Sequence, residues 1–254
     1  MSRIIELTYQ AGEATLRWLC DYHDYEVVGF ENLPQYGPAL VAFHHSLATY
    51  DSFLLGIPII DRLGRQFRGL ADNLIFRTPG LGHLFSSMGF VPGTREATVA
   101  MLREDSIIGL APGGMREGLR SSGQRYQFDW TGRYGFVWTS MLAGAPIVLG
   151  ACPAGDHIYD VYDNPLTPWL YRRFHFPVPF FRGRSNTPLP RPVKLWHLLS
   201  EPIYPDVAPD QVTRADVQRH HQRLCERMTQ LMQDSLALAP SFGVEPGDLV
   251  VEKP

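Results

Sequence analysis

Two histidines, His44 and His45, follow directly on the apolar run Ala39-Leu40-Val41-Ala42-Phe43, and a carboxylate, Asp51, stands six residues beyond His45. A strand that ends in histidine and runs into a turn carrying aspartate can build an oriented general base. The neutral imidazole takes the proton of an alcohol, while the carboxylate fixes its tautomer and steadies the imidazolium. That chemistry suits transfer of an acyl group to a hydroxyl. No Gly-x-Ser-x-Gly elbow marks a nucleophilic serine, and Ser46 adjoins His45 without evident activation.

Spacing by itself decides little: nine His and fifteen Asp in 254 residues give roughly 0.5 chance pairs at any one separation. His157 and Asp163 repeat it within a polar segment between Gly155 and Pro165. The first pair differs in its surroundings, with an apolar run before it and Ser52-Phe53-Leu54-Leu55-Gly56-Ile57 after it. It also has a companion, the run Ser106 to Ala111 followed by Pro112-Gly113-Gly114-Met115-Arg116-Glu117. Glycines at the end of a strand let backbone N–H groups come close to an anion or oxyanion.

The elements that must position these groups can be read from periodicity. Ile4, Leu7, Ala11, Ala14 and Trp18 recur at three- and four-residue steps, which predicts an amphipathic helix over 3–22 that packs on the domain or lies on a bilayer. Apolar runs predict strands at 25–29, 38–43, 67–71, 106–111 and 145–151, and helices are expected at 52–63, 81–88, 95–104 and 131–143. The alternation predicts an α/β fold, a single domain with a central, mostly parallel sheet flanked by helices. Ligands gather beyond the carboxyl ends of such strands, where His44-His45 and Pro112-Gly113-Gly114 both fall. A further helix spans 213–239, begun by Thr213 and stopped by Pro240. Between 165 and 192, aromatics (Trp169, Tyr171, Phe174, Phe176, Phe180, Phe181) are interleaved with arginines (Arg172, Arg173, Arg182, Arg184, Arg191). This segment either meets lipid headgroups or closes over the domain's own core.

A hydrophobic content of 44% in 254 residues supports one large buried core. The net charge of -3 argues against nucleic acid as a partner, which demands a basic surface. Cys20, Cys152 and Cys225 lie far apart and suggest neither zinc nor a disulfide framework, so a reducing compartment is expected. No signal peptide and no apolar stretch of the roughly 20 residues a membrane helix requires is read, so work on lipids would proceed from the surface.

With His45, Asp51, the Pro112 to Glu117 block and Ala145-Pro146-Ile147-Val148 in this order, the chain resembles the glycerolipid acyltransferase superfamily over roughly residues 25–205. It is similar to the branch typified by transmembrane protein 68, which also has five residues between His and Asp and a Pro-Gly-Gly-x-x-Glu motif. The stretches Ala71-Asp72-Asn73-Leu74-Ile75-Phe76 and Pro79-Gly80 look like that branch as well. The resemblance implies His45 as general base, Asp51 as its orienting partner, and Gly113, Gly114, Arg116 and Glu117 in the substrate-binding block. Arg95, in Gly93-Thr94-Arg95-Glu96, is the nearest candidate for the family's intervening arginine. It implies an acyltransferase domain over 25–205, with the N-terminal helix (1–24) before it and a C-terminal helix and tail (206–254) after it.

The expected reaction moves a fatty acyl group from acyl-CoA, a co-substrate, to a lipid hydroxyl, with no cofactor or metal. Members that accept glycerol phosphate carry Phe-Pro-Glu-Gly-Thr-Arg-Ser where this chain has Ala111-Pro112-Gly113-Gly114-Met115-Arg116-Glu117, which favours a neutral acceptor such as mono- or diacylglycerol or a fatty alcohol. The expected place of work is a membrane or lipid-droplet surface, on the cytoplasmic face. Alternatives are a lysophospholipid or glycerol-phosphate acyltransferase, a lipid-binding module that has lost the chemistry, and a metal-dependent hydrolase built on His157, Asp160 and Asp163.

Overall fold

The computed structural model describes residues 3–71, 73–77, 80–87, 89–164, 166, 169, 173 and 179–244. All five apolar runs form strands: β1 (Glu26–Val28), β2 (Ala39–Phe43), β3 (Phe67–Ala71), β5 (Ile107–Leu110) and β6 (Ile147–Ala151). Four strands escaped the periodicity reading: β4 (Phe90–Pro92), β7 (Asp160–Val161), β8 (Phe181–Arg182) and β9 (Trp196–Leu199). They are two to four residues long, too short to show a pattern.

A seven-stranded sheet has the order β1-β9-β6-β2-β5-β3-β4. Every pairing in it is parallel except β6 with β9, so β1 and β9 run against the other five. β2 is the central strand, and its five residues are all buried. Leu40 and Ala42 face a cluster with Met141, Leu224 and Met228, whereas Val41 and Phe43 face one with Phe30, Leu55 and Ile59. A strand covered on both faces reads as a continuous apolar run rather than an alternating one, which is the pattern of residues 39–43.

The helices form where expected, at Arg3–Tyr22, Leu81–Ser87, Arg95–Arg103, Gly135–Ala143 and Arg214–Ala237. The expected helix 52–63 is a succession of short turns instead, Tyr50–Phe53, Gly56–Pro58 and Ile59–Leu63. Pro58 lacks the N–H that a regular helix would use there. The helix Arg214–Ala237 opens with a reciprocal Thr213/Asp216 capping box, and Val217, Leu224, Met228 and Leu231 recur on its buried face. Each such side chain contributes about 1.5–3 kcal/mol on burial. This helix closes one face of the sheet.

The N-terminal helix buries Leu16 and Leu19 against Phe53, Leu54 and Trp196, while Leu7 and Trp18 remain more than half exposed. Within 165–192, residues 165, 167–168, 170–172 and 174–178 lie outside the described ones, as do Asp72 and Pro79 of the family-like stretches. The described end of that segment pairs β8 with β7 in an antiparallel ribbon. No described helix is long and apolar enough to cross a membrane.

Candidate active site

Parallel register brings three turns to one edge. Ala42 of β2 pairs with Leu110 of β5, and Phe43 with Gly150 of β6, so the segments after Phe43, Leu110 and Ala151 emerge side by side. They carry His44 to Asp51, Pro112 to Arg120, and Cys152 to His157.

His45 is held by its backbone. Its N–H donates to Glu117 Oε1 at 2.7 Å, and its carbonyl accepts from Arg120 Nη1. Its ring Nδ1 lies 2.7 Å from the carbonyl oxygen of Ser46. A carbonyl can only accept, so Nδ1 carries the proton in this arrangement and the neutral ring keeps its lone pair on Nε2. Burial pushes the His45 imidazole down to about 4, with the charge of Arg120 and the neighbouring His44 adding to the effect and the Ser46 carbonyl and Asp156 opposing it. At neutral pH His45 is therefore an uncharged imidazole, ready to accept a proton.

Asp51 is buried in the same turn but does not hydrogen-bond His45. Its Oδ2 accepts from Ser46 Oγ at 2.9 Å and its Oδ1 has no partner. The orienting bond expected from Asp51 is made by the Ser46 carbonyl, with Asp51 one residue further out on the Ser46 hydroxyl. The turn brings the carbonyl of the adjacent residue to Nδ1 and directs the Asp51 carboxylate to the Ser46 hydroxyl instead. Burial pushes the Asp51 carboxyl upward, against the pull of His44 and Ser46.

The glycines have a different use from the one expected. A Cβ on Gly113 would fall 1.7 Å from Glu117 Oε2, one on Gly118 would fall 2.8 Å from the His45 ring, and one on Gly155 would fall 2.2 Å from Asp51 Oδ2. These three positions make room for the side chains of the site itself. Gly114 has φ +58° and its N–H donates to Ala111 O at 3.1 Å, so it is already engaged rather than open to an oxyanion. Glu117 Oε2 is buried and unpartnered, and burial raises this carboxyl too, with His44, the His45 N–H and Arg120 pulling it back.

Two residues that the sequence reading passed over complete the cluster. Asp156 accepts from Arg120 Nη2 and from the Tyr126 N–H, the latter at 2.7 Å, and its Oδ1 stands 3.8 Å from His44 Nε2. That last distance is an electrostatic contact rather than a hydrogen bond. Burial alone would raise the Asp156 carboxyl, but His44 and the Arg120 guanidinium hold it below the usual carboxylate range. The rule that selected the other two turns, polar residues just past an apolar strand, points to Asp156 as well, because it follows the run 145–151.

Arg116 and Arg95 stand elsewhere. Arg116 is half exposed and pairs with Asp129 at 2.9 Å, while the Arg95 guanidinium lies 6.0 Å from the centre of the Trp138 ring. His157 is buried beside Tyr126, whose hydroxyl it meets through Nε2, and Asp160 is shared by Arg125, Arg182 and Arg191. Among the described residues no group of three or more His, Cys, Asp or Glu side chains is placed to hold a metal. A cleft of about 590 Å³ opens beside Glu117 and Arg120, lined also by Arg116, Gln124, Phe128 and Arg133.

A family model described as Acyltransferase matches residues 24–149. The human "DGAT1/2-independent enzyme synthesizing storage lipids" is 33% identical over 184 residues, which are 72% of this chain and 54% of that protein. "Phytyl ester synthase 2, chloroplastic" of Arabidopsis thaliana is 28% identical over 142 residues, 53% of this chain and 20% of that protein. The chain thus spans about half the length of the first of these curated relatives. Among solved structures, the 1-acyl-sn-glycerophosphate acyltransferase PlsC of Thermotoga maritima aligns over 89% of this chain and 79% of its own, with 17% identity and a TM-score of 0.45. The matched region contains β2 with the His45 turn and β5 with the Pro112 to Glu117 block, and this stretch of the chain is a domain of the Acyltransferase family.

Proposed function

We propose that this protein is an O-acyltransferase that moves a fatty acyl group from acyl-CoA to the hydroxyl of a neutral lipid, a mono- or diacylglycerol or a fatty alcohol. The observation that carries the reading is the His45 ring, buried and neutral, with Nδ1–H committed to the Ser46 carbonyl and Nε2 left as the base. The acceptor hydroxyl hydrogen-bonds Nε2 and gives up its proton as its oxygen attacks the thioester carbonyl. The tetrahedral oxyanion collapses, the C–S bond breaks, and the thiolate of coenzyme A takes the proton back from His45. Asp156, the carboxylate that favours the protonated ring, steadies the transient imidazolium. General-base assistance of this kind is worth about 10²- to 10⁴-fold.

A neutral acceptor is favoured by the state of the arginines. Arg116 is matched to Asp129 and Arg120 to Asp156, which leaves two of the three guanidiniums along the cleft already neutralised. Recognition of a phosphate calls for guanidiniums free to form bidentate bonds. The family's usual phosphate-accepting block is also replaced here. Acyl-CoA as donor rests on the resemblance. The exposed Trp18 and Leu7 of the N-terminal helix, with Trp169, Phe180 and Leu189, support work at a membrane or lipid-droplet surface, and the cytoplasmic face is part of the proposal rather than a consequence of these residues.

The test is thiol release from long-chain acyl-CoA by wild type and His45→Ala, with diacylglycerol, monoacylglycerol, a fatty alcohol or lysophosphatidate in mixed micelles. Release that depends on a neutral acceptor and disappears in the variant is expected. Full activity in His45→Ala would sink the mechanism, and release with lysophosphatidate alone would move the acceptor to the phosphorylated class.

A further inference from the structure

Arg120 connects more of the site than any other described side chain. Its Nη1 donates to the carbonyl oxygens of His45 and Glu117, its Nη2 donates to Asp156 Oδ1, and its Nε donates to the Gln124 carbonyl at 3.2 Å. These acceptors belong to all three turns at the sheet edge and to the loop beyond the second. The side chain is nine-tenths buried yet borders the cleft. The arrangement uses what is particular to arginine, several donors in one rigid plane, which the single ammonium of lysine cannot reproduce.

We propose that Arg120, held in place by Asp156, is the positioning residue of the acyl-transfer site, fixing where the His45 ring stands relative to Glu117 and the cleft. The proposal rests on the reading of His45 as the base. The physical argument is that the two peptide groups flanking the His45 Cα are gripped from opposite directions, the N–H by Glu117 and the carbonyl by Arg120. Both grips originate in the Gly114–Gly118 helix and the residues just after it. Because Asp156 also takes the Tyr126 N–H, the guanidinium cannot shift without disturbing a third turn. A misplacement of about 1 Å at a reacting group can cost about 10²-fold in rate.

The charged and titratable groups facing His45 are His44 and Ser46-bound Asp51 from its own turn, Glu117 and Arg120 from the second, and Asp156 from the third. Arg120 is the cation among them that opposes protonation of the ring. Its removal leaves Asp156 as the carboxylate acting on the imidazole.

The experiment compares Arg120→Gln and Arg120→Lys in the full chain by steady-state kinetics and by NMR titration of ring-labelled histidine, with the His45 signal assigned by its loss in His45→Gln. Arg120→Gln is expected to lower kcat by about 10²-fold with little change in KM, and to move the His45 titration upward from about 4. Arg120→Lys keeps the charge but loses the planar fork, so its His45 titration should stay near that of wild type while kcat falls by about tenfold or more. A wild-type kcat in Arg120→Lys would overturn the positioning role. So would a loss of kcat in Arg120→Gln with an unmoved His45 titration, the signature of a merely structural part. If Arg120→Gln does not fold, Arg120→Lys decides the matter alone. The titration needs no turnover, so an inactive wild type would break the acyl-transfer reading while leaving the link between Arg120 and the imidazole separately measurable.

Discussion

His45 and Asp51 beyond β2, and His157 and Asp163 beyond β6, have the same separation along the chain. Around His45 the groups of the site are buried: Asp51 lies 1% exposed, Ser46 bridges it to the histidine, and Oδ1 of Asp51, Oε2 of Glu117 and Nε2 of His44 have no hydrogen-bond partner. Around His157 the chain leaves the sheet edge for the β7 and β8 ribbon. The histidine rests on Tyr126, Asp160 is matched by three arginines, and Asp163 points into the open cleft. One region holds polar groups short of partners, which a substrate can satisfy. The other centres on Asp160, whose charge three arginines match, although His157 Nδ1 and Arg191 Nε also lack hydrogen-bond partners there. Unsatisfied buried groups are costly, at about 1–3 kcal/mol each, and are retained where chemistry needs them.

The largest expected effect tests that contrast directly. His45→Ala should lose about 10²- to 10⁴-fold in kcat/KM with an unchanged circular dichroism spectrum, whereas His157→Ala should stay within severalfold of wild type and melt earlier. Comparable losses in both would erase the distinction. Next come the close approaches within the first region. Gly113→Ala places a methyl group 1.7 Å from Glu117 Oε2, so the carboxylate must leave the His45 N–H. Activity should fall by about 10²-fold, with a stability cost of about 1–3 kcal/mol. Gly135→Ala, whose Cβ meets nothing within 4 Å and whose φ, like that of Gly113, is not positive, serves as the control for adding a methyl group without a clash.

The smallest effects concern stability and have opposite signs. Folding raises the pKa of Asp51, chiefly through burial, so its charge costs stability above the range of an unfolded aspartate, about 3.9, and the cost vanishes below it. Folding lowers that of Asp160, through Arg191 first and then Arg182, so it contributes stability above about 3.9 that is lost as the pH falls through the lowered folded value. At pH 7, Asp51→Asn should therefore raise Tm while reducing turnover, and Asp160→Asn should lower Tm while sparing it. A change of 1 kcal/mol corresponds to about 2–4 °C in a chain of this size. Thermal melts of the pair at pH 7 check the signs, and a lower Tm for Asp51→Asn would show that the Ser46 bond outweighs the desolvation of its carboxylate.

How much could be read beforehand differs from element to element. β2, β5 and β6 are runs of apolar residues long enough to stand out, and the turns after β2 and β5 carried recognisable residues. β4 ends in Pro92, and β9 lies beyond a proline-rich stretch, so neither had a pattern to read. β9 is a strand by virtue of its partners, β1 and β6. Within the site, Gly113 and Gly114 stand out for their backbone freedom, but what demands Gly113 is the Glu117 side chain four residues on, and what demands Gly155 is Asp51 from another turn. Arg116 stands inside the motif, but the fold turns it outward to Asp129, whereas Arg120, three residues past the motif, enters the site.

The sequence by itself determined the five strands that coincide with apolar runs and which histidine ends the central one, since apolar runs, caps and prolines act locally on a few neighbouring residues. Only the tertiary structure decided that the Ser46 carbonyl rather than Asp51 holds the His45 ring, and that Arg120 and Asp156 join the site. The contacts of Arg120 and Asp156 are set by the parallel register of β2, β5 and β6, which brings together residues 36 to 112 positions apart. Hydrogen bonds depend on distances of a fraction of an ångström, and no spacing along a chain encodes such a distance until the strands are paired.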